Sequence, residues 1–228
     1  MAAQSPATSG VSTSPIAADN PGVIDLFAVL AYGEISAFYR LAEEAKLSPT
    51  LRGKVAVAKM ATAEMAHFQT LETALAECGV DVFDAMAPFV RALDAYHAST
   101  DPSTWLESMV KFYVGDGIAA DFYTEIAGAL DPAVATVVRD VLAETSHSEF
   151  VVEEVRRAVT TSRSERDRLT LWGRRLLGEA ITQAQYVMAQ RDELAELVLT
   201  ATGDLNGIAA LFERMQDSHA QRMAVLGL

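Results

Sequence analysis

The sequence predicts an all-α protein: two antiparallel helical hairpins joined by a long crossover into a four-helix bundle, followed by C-terminal helices. Three observations predict this. Ala, Leu, Val and Glu dominate a 228-residue chain that is 50% hydrophobic, with few Gly or Pro in its interior, and such residues favour helices. Apolar residues recur at helical spacing over long stretches, and no alternating strand pattern survives beside them. Capping residues next to Pro mark where new helices begin.

Taken in order, residues 1–20 (MAAQSPATSGVSTSPIAADN) are rich in Ser, Thr, Ala and Pro and hold no Lys or Arg. They lack the charged start and apolar block of a secretory signal and read as a disordered tail. A first helix is expected over 23–46, with Arg40, Glu43, Glu44 and Lys46 outward. Ser48-Pro49 reads as a cap plus first-turn proline, starting a second helix that runs to Cys78 and stops at Gly79. Residues 80–102 form the crossover, with a short helix over 83–97, and Asp101-Pro102 marks the next start. A third helix covers 104–130. Asp131-Pro132 opens a fourth, reaching about residue 158. Helices near 166–190, 193–202 and 205–225 follow, the last capped by Asp204. The expected organisation is a tail (1–20), a bundle (21–160) and a C-terminal helical extension packed on the bundle (161–228).

The bulk properties exclude several classes. One cysteine, Cys78, rules out an internal disulfide framework and any CxxC knuckle, and fits a reducing cytoplasm. No apolar run approaches the ~20 residues of a bilayer span, so no membrane is expected. A net charge of −13 opposes bulk nucleic-acid binding. The exception is local: Arg156, Arg157, Arg163, Arg166, Arg168, Arg174 and Arg175 are interleaved with Glu165 and Asp167, a solvated junction by default, with a binding role as the alternative.

The chemistry lies in a repeated motif. AEMAHF carries Glu64 and His67, and AETSHS carries Glu144 and His147. Residues three apart share a helix face, so each pair can hold one metal ion. Glu34 and Asp116 stand nine residues before the outward Glu43 and Glu125, about 900° around the helix and hence inward. Glu34 precedes Glu64 by 30 residues and Asp116 precedes Glu144 by 28, which brings them to similar heights across antiparallel hairpins. Asp121 is a rival to Asp116, although Glu107, Lys111 and Glu125 place it nearer the outer face. Four carboxylates and two imidazoles thus converge inside the bundle. Without metal their burial would cost several kcal/mol each; two divalent ions about 3.5–4 Å apart resolve this. Oxygen-plus-imidazole ligation suits iron or manganese.

Other features read as structure. Gly33 and Gly115 beside the inward carboxylates make room, whether for tight packing or for dioxygen. His97 with Asp94 reads as a surface or boundary pair, and His219 as peripheral. The Phe38-Tyr39 and Phe122-Tyr123 pairs read as core, with a redox tyrosine the alternative, and Trp105 and Trp172 as packing anchors.

Glu…Glu-x-x-His…Asp…Glu-x-x-His across two hairpins resembles the ferritin-like di-iron carboxylate superfamily over about residues 22–160. Within it, AYGEISAFYRLAEEA, AEMAHF and GDGIAADFYTEIA resemble actinobacterial proteins grouped with the tRNA-modifying hydroxylase MiaE. The resemblance implies two iron ions, with manganese or a mixed pair as variants, dioxygen as co-substrate, and electrons from a separate reductase. Glu34, Glu64 and His67 would serve one ion and Asp116, Glu144 and His147 the other, with Glu64 and Glu144 as bridges. Two departures stand out: Asp116 replaces the commoner Glu, and Ala63 and Ala143 occupy positions where several di-iron oxygenases place an Asp behind the opposite histidine. Asp140 is the candidate replacement.

These readings leave three functions: a di-iron monooxygenase acting on modified tRNA or a small organic substrate, iron oxidation or peroxide scavenging, or an inactive helical scaffold. No GxGxxG fingerprint is present, so a reductant must come from a partner. A homodimer is compatible with all three.

Overall fold

The computed structural model describes residues 15–143 and 148–228, and this part of the chain is all-helical. Its elements are α1 (Pro21–Glu44), α2 (Leu51–Glu77), α3 (Val82–Ser99), α4 (Trp105–Ala127), α5 (Pro132–Val141), α6 (Ser148–Thr161), α7 (Arg163–Gln190), α8 (Asp192–Thr202) and α9 (Leu205–Leu226). The α1–α2 hairpin is one half of the bundle, α3 is the crossover, and α4 with α5 and α6 supplies the other half. α7, α8 and α9 close over α1 and α4.

Local chemistry sets the boundaries. Asn20 caps α1 by accepting from Gly22 N at 2.9 Å, with Pro21 in the first turn. Thr50, rather than Ser48, caps α2, accepting from Gly53 N at 3.0 Å; Ser48 instead braces the turn through Thr50. Thr104 caps α4, Asp131 caps α5 ahead of Pro132, and Asp204 caps α9. Gly79, at φ +74°, ends the α2 hairpin end in the left-handed region, where a side chain is strained. The expected fourth helix falls into α5 and α6, and its residues 144–147 lie outside the described residues.

α1 runs through the centre of the core, with Val23, Leu26, Phe27, Ala28, Val29, Leu30 and Ala31 all buried. This corrects the sequence expectation about apolar runs: by length and composition alone, α1 with the turn after it would reach across a bilayer. Its apolar side chains are spent on the other helices, α2 above all, then α3 and α8. Gly22 is required there, since a Cβ would come within 2.5 Å of the Glu193 carbonyl on α8. Beside it Asp25, buried, accepts from Arg191 at 2.6 and 3.0 Å, a bidentate pair fixing the α7–α8 corner to α1.

The segment before α1 is tied down from Ile16 onward. Ile16 N donates to Ala129 O at 3.1 Å, and Asp131 N donates to Ile16 O at 2.8 Å. Ala18 O accepts from the Cys78 thiol at 3.4 Å.

Candidate metal centre

Three of the six expected ligands come together. Glu34 on α1 and Glu64 and His67 on α2 each offer a ligand atom, all within 4.8 Å of one another. Periodicity explains the meeting: α1 and α2 pack along their length, and Glu64 and His67 share a face. His67 Nδ1 lies 3.2 Å from Glu34 Oε2, and the Glu34 and Glu64 carboxyls share a hydrogen bond.

Electrostatics follow from burial. Desolvation pushes the Glu64 carboxyl up to about 9, with the neighbouring Glu34 adding to the rise. Glu34 is pushed up to about 7, again chiefly by desolvation, with Asp116 adding to it while its hydrogen bond to Glu64 works the other way. Two adjacent buried carboxyls must keep a proton between them or take a cation in its place. A divalent cation held by two carboxylate oxygens and an imidazole nitrogen removes that repulsion, and this donor set matches iron, manganese or zinc chemistry. The residues present fit the metal that the sequence implies.

Asp116 stands beside this cluster without joining it. Its side chain is exposed at the position where two cavities meet, and its charge reaches Glu34. Asp121 is engaged elsewhere, accepting from Arg222 of α9 at 2.5 Å. Glu107 and Lys111 do not mark the outer face expected of them: Glu107 is buried and Lys111 half-buried. Glu107 instead accepts from Ser103 N at 2.7 Å and pairs with Arg168 at 3.3 Å. Glu125 is exposed and pairs with Arg214. Glu144 and His147 lie outside the described residues, and Asp140 is exposed on α5.

Two cavities reach the carboxylates. One, of about 290 Å³, runs between α1, α3, α4 and the C-terminal helices, with walls of Val29, Leu30, Leu93, Phe112, Ile118 and Phe122. The other, about 330 Å³, is more polar and includes His67, Asp116, Asp121 and Arg222. Gly33 and Gly115 line the first. A Cβ at Gly115 would meet nothing within 4 Å among the described residues, so among them this glycine leaves space rather than permitting close helix contact. At Gly117 the opposite holds: a Cβ would collide with Arg222 at 2.4 Å from its Cδ.

Several residues read as peripheral or outward face the first cavity instead. Arg40 and Glu44 line it, as do Tyr96, His97 and Lys111. His97 is not paired with Asp94, which accepts from Tyr32 at 2.8 Å. Its Nδ1 is buried without a partner, and burial, helped by Lys111 and Arg40, pushes it down to about 3. His219 is buried on α9, 5% exposed, with both ring nitrogens unpartnered. Of the tyrosines, Tyr39 is exposed, whereas Tyr123 lines the cavity, its hydroxyl pushed up by burial and by Glu34. Trp172 is an anchor as expected, buried and donating to Glu107 O at 2.9 Å.

A bundle of two hairpins around buried carboxylates and an imidazole is the architecture of ferritin-like proteins. The sequence model described as "Ferritin-like domain, actinomycetes" matches residues 17–201, most of the chain. The protein belongs to this family. The match runs through α7 and into α8 and ends before α9. A search of curated proteins returns no match.

Proposed function

We propose that the protein is a non-haem di-iron hydroxylase of the MiaE-like type, acting on an organic substrate held in the apolar cavity. One observation carries this reading: the Glu34–Glu64 pair forms part of the wall of a largely apolar 290 Å³ cavity. Iron storage needs a route for ions; an apolar chamber ending at the ligands suits an organic molecule.

Glu34, Glu64 and His67 would hold one ion, and Asp116, with Glu144 and His147, the other. Bound iron would supply activation of dioxygen toward C–H hydroxylation, with electrons from a separate reductase. The chain's own part is positioning and exclusion of water. Val29, Leu30, Phe112, Ile118 and Phe122 surround the substrate with apolar surface. The carboxyls of Glu34 and Glu64, pushed up by burial, release a proton when a cation enters. Tyr123 keeps its hydroxyl proton beside Glu34 at neutral pH. A reducing cytoplasm, read from the lone Cys78, fits a centre that must be reloaded with electrons.

Modified tRNA is the larger substrate this type implies. Arg157, Arg163 and Arg168 pair with Glu154, Asp167 and Glu165, and Arg175 donates to Ser99 O. Arg156, Arg166 and Arg174 are exposed and make no ion pair among the described residues. Three arginines on an acidic chain support RNA contact less than the cavity supports a small organic substrate. The second reading, iron oxidation or peroxide scavenging, is favoured by the polar cavity that reaches the same carboxylates through His67 and Asp121.

The deciding experiment is metal analysis of anaerobically purified protein followed by oxygen addition. Two irons per chain, lost in Glu64→Gln, with oxygen uptake coupled to a hydroxylated product, is the expected result. Oxygen uptake that yields only ferric mineral supports the second reading, and no metal after reconstitution ends both.

A further inference from the structure

The apolar cavity has a second polar end, and its groups are cationic. Arg40 follows Glu34 by six residues on α1, about 9 Å along the axis. Lys111 precedes Asp116 by five on α4, about 7.5 Å. Both displacements lead to one place, since Arg40, Lys111 and His97 of α3 act on one another electrostatically and all line the cavity.

We infer that this end of the cavity binds the oxyanion head of an amphipathic substrate, with Arg40 and Lys111 as the charges and His97 as a further hydrogen-bond partner. The inference deepens the hydroxylase reading and rests on it for the word substrate; the binding itself does not. Arg40 is the central observation. It makes no hydrogen bond or ion pair among the described residues, and its Nε is buried and unpartnered. The Tyr39 ring supports it at 5.8 Å. Lys111 lies 5.7 Å from the Tyr96 ring and donates to Thr100 O at 2.7 Å, which leaves further N–H groups on Nζ. Burial and the neighbouring Arg40 push it down to about 8. His97 adds a buried Nδ1 with no partner.

Two cations side by side against apolar walls are unfavourable alone, and buried polar groups are ordinarily paired. Glu44 is the one carboxylate lining this end. Burial pushes its carboxyl up, against the field of Lys111, a hydrogen bond with Ser108 and the weaker field of Arg40, so this single acid is shared between both cations. Asp101 acts from an exposed position outside the lining. Among the described residues this end therefore carries two cations against one acid, with Glu34, Glu64 and Asp116 lining the cavity farther along α1, α2 and α4, and an oxyanion completes it. A carboxylate or phosphate monoester head has the planar or three-oxygen geometry that a guanidinium grips by paired N–H donors. The apolar body would then extend towards Glu34 and Glu64.

The test is calorimetric binding of decanoate, decyl phosphate and decanol to the full-length chain. One of the two anions should bind about tenfold or more tightly than decanol, and which one wins identifies the head. Arg40→Met should abolish that preference, Arg40→Lys should retain part of it, and Lys111→Met, in a different helix, should weaken it independently. Glu64→Gln should keep it, which separates this site from the metal centre: failed metal loading with intact selectivity would end the hydroxylase reading alone. Decanol binding as tightly as both anions, or a preference that survives Arg40→Met and disappears in Glu64→Gln, would overturn the inference.

Discussion

The two halves of the bundle present their inward acids very differently. On the α1–α2 side, Glu34, Glu64 and His67 are gathered within 4.8 Å and largely shielded from water. On α4, Asp116 is exposed and Asp121 is held by Arg222. Both helices carry an acid beside a glycine at the same inward phase, so pattern alone does not separate them. What differs among the described residues is the neighbour: Glu34 meets Glu64 and His67 of α2, whereas Glu144 and His147, the residues expected opposite Asp116, lie outside the described residues. On the α1–α2 side an inward acid is buried and perturbed where the partner helix brings a second carboxylate against it.

The sharpest way to break this contrast is Glu64→Gln. Loss of a buried carboxylate ligand should lower metal affinity about 100-fold or more, beyond the cost of disturbing a ligand's supporting residues, measured by competition with a chelator of known affinity. An affinity loss no larger for Glu64→Gln than for Asp116→Asn would mean that the two halves are equivalent.

A pH titration gives the next largest effect. Both carboxyls sit above their usual range, Glu34 at about 7 and Glu64 at about 9. Between about pH 4.5 and 9 this pair holds protons that the unfolded chain has released, so its contribution to stability falls as pH rises; below about 6.5 His97 and His219, both pushed down, act in the opposite direction. Thermal unfolding with a chelator present should therefore show a midpoint dropping by a few degrees from about pH 6.5 to pH 9, and saturating metal should flatten this slope. A midpoint that rises over that window would show that the pair is not protonated in the fold.

Asp116→Asn should weaken metal binding by about tenfold, as expected of a charge that acts from beside the cluster, and should ease the burden on Glu34. The smallest effect belongs to Asp121→Asn: metal content unchanged, and a stability loss of about 1 kcal/mol from the partly exposed pair with Arg222, read by denaturant unfolding. Metal lost from Asp121→Asn would reverse the assignment of the two aspartates.

Much of the fold was legible because helix boundaries are local chemistry. The Asp131-Pro132 start, the Asp204 cap and apolar residues at helical spacing need no tertiary information, although at Ser48-Pro49 the cap falls two residues on, at Thr50. Glu34, Glu64 and His67 were legible for a related reason: a half-turn offset from outward acids, and a three-residue step, fix a face. The cationic end of the cavity was missed because charge was read as a sign of solvent. Gly33, Ala37, Arg40, Leu41 and Glu44 all line the cavity, and their spacing of four, seven, eight and eleven continues one inward stripe. Lys111, Gly115, Ile118 and Phe122 do the same on α4. The signal was the period, and a bundle wide enough to enclose a chamber lets charged residues stay on it. His97 and His219 needed tertiary contacts from other helices, which no local pattern supplies.

The seam at Ile16 has a practical consequence. It is sewn by main-chain atoms, Ile16 N to Ala129 O and Asp131 N to Ile16 O, so it is nearly blind to which side chains stand there, yet it depends wholly on where the chain is cut. A fusion partner joined ahead of Pro15 leaves the stitch between the first helix and the α4–α5 turn in place. One joined at Pro21 removes both the stitch and the Asn20 cap, leaving the two hairpins to find their alignment through side-chain packing alone.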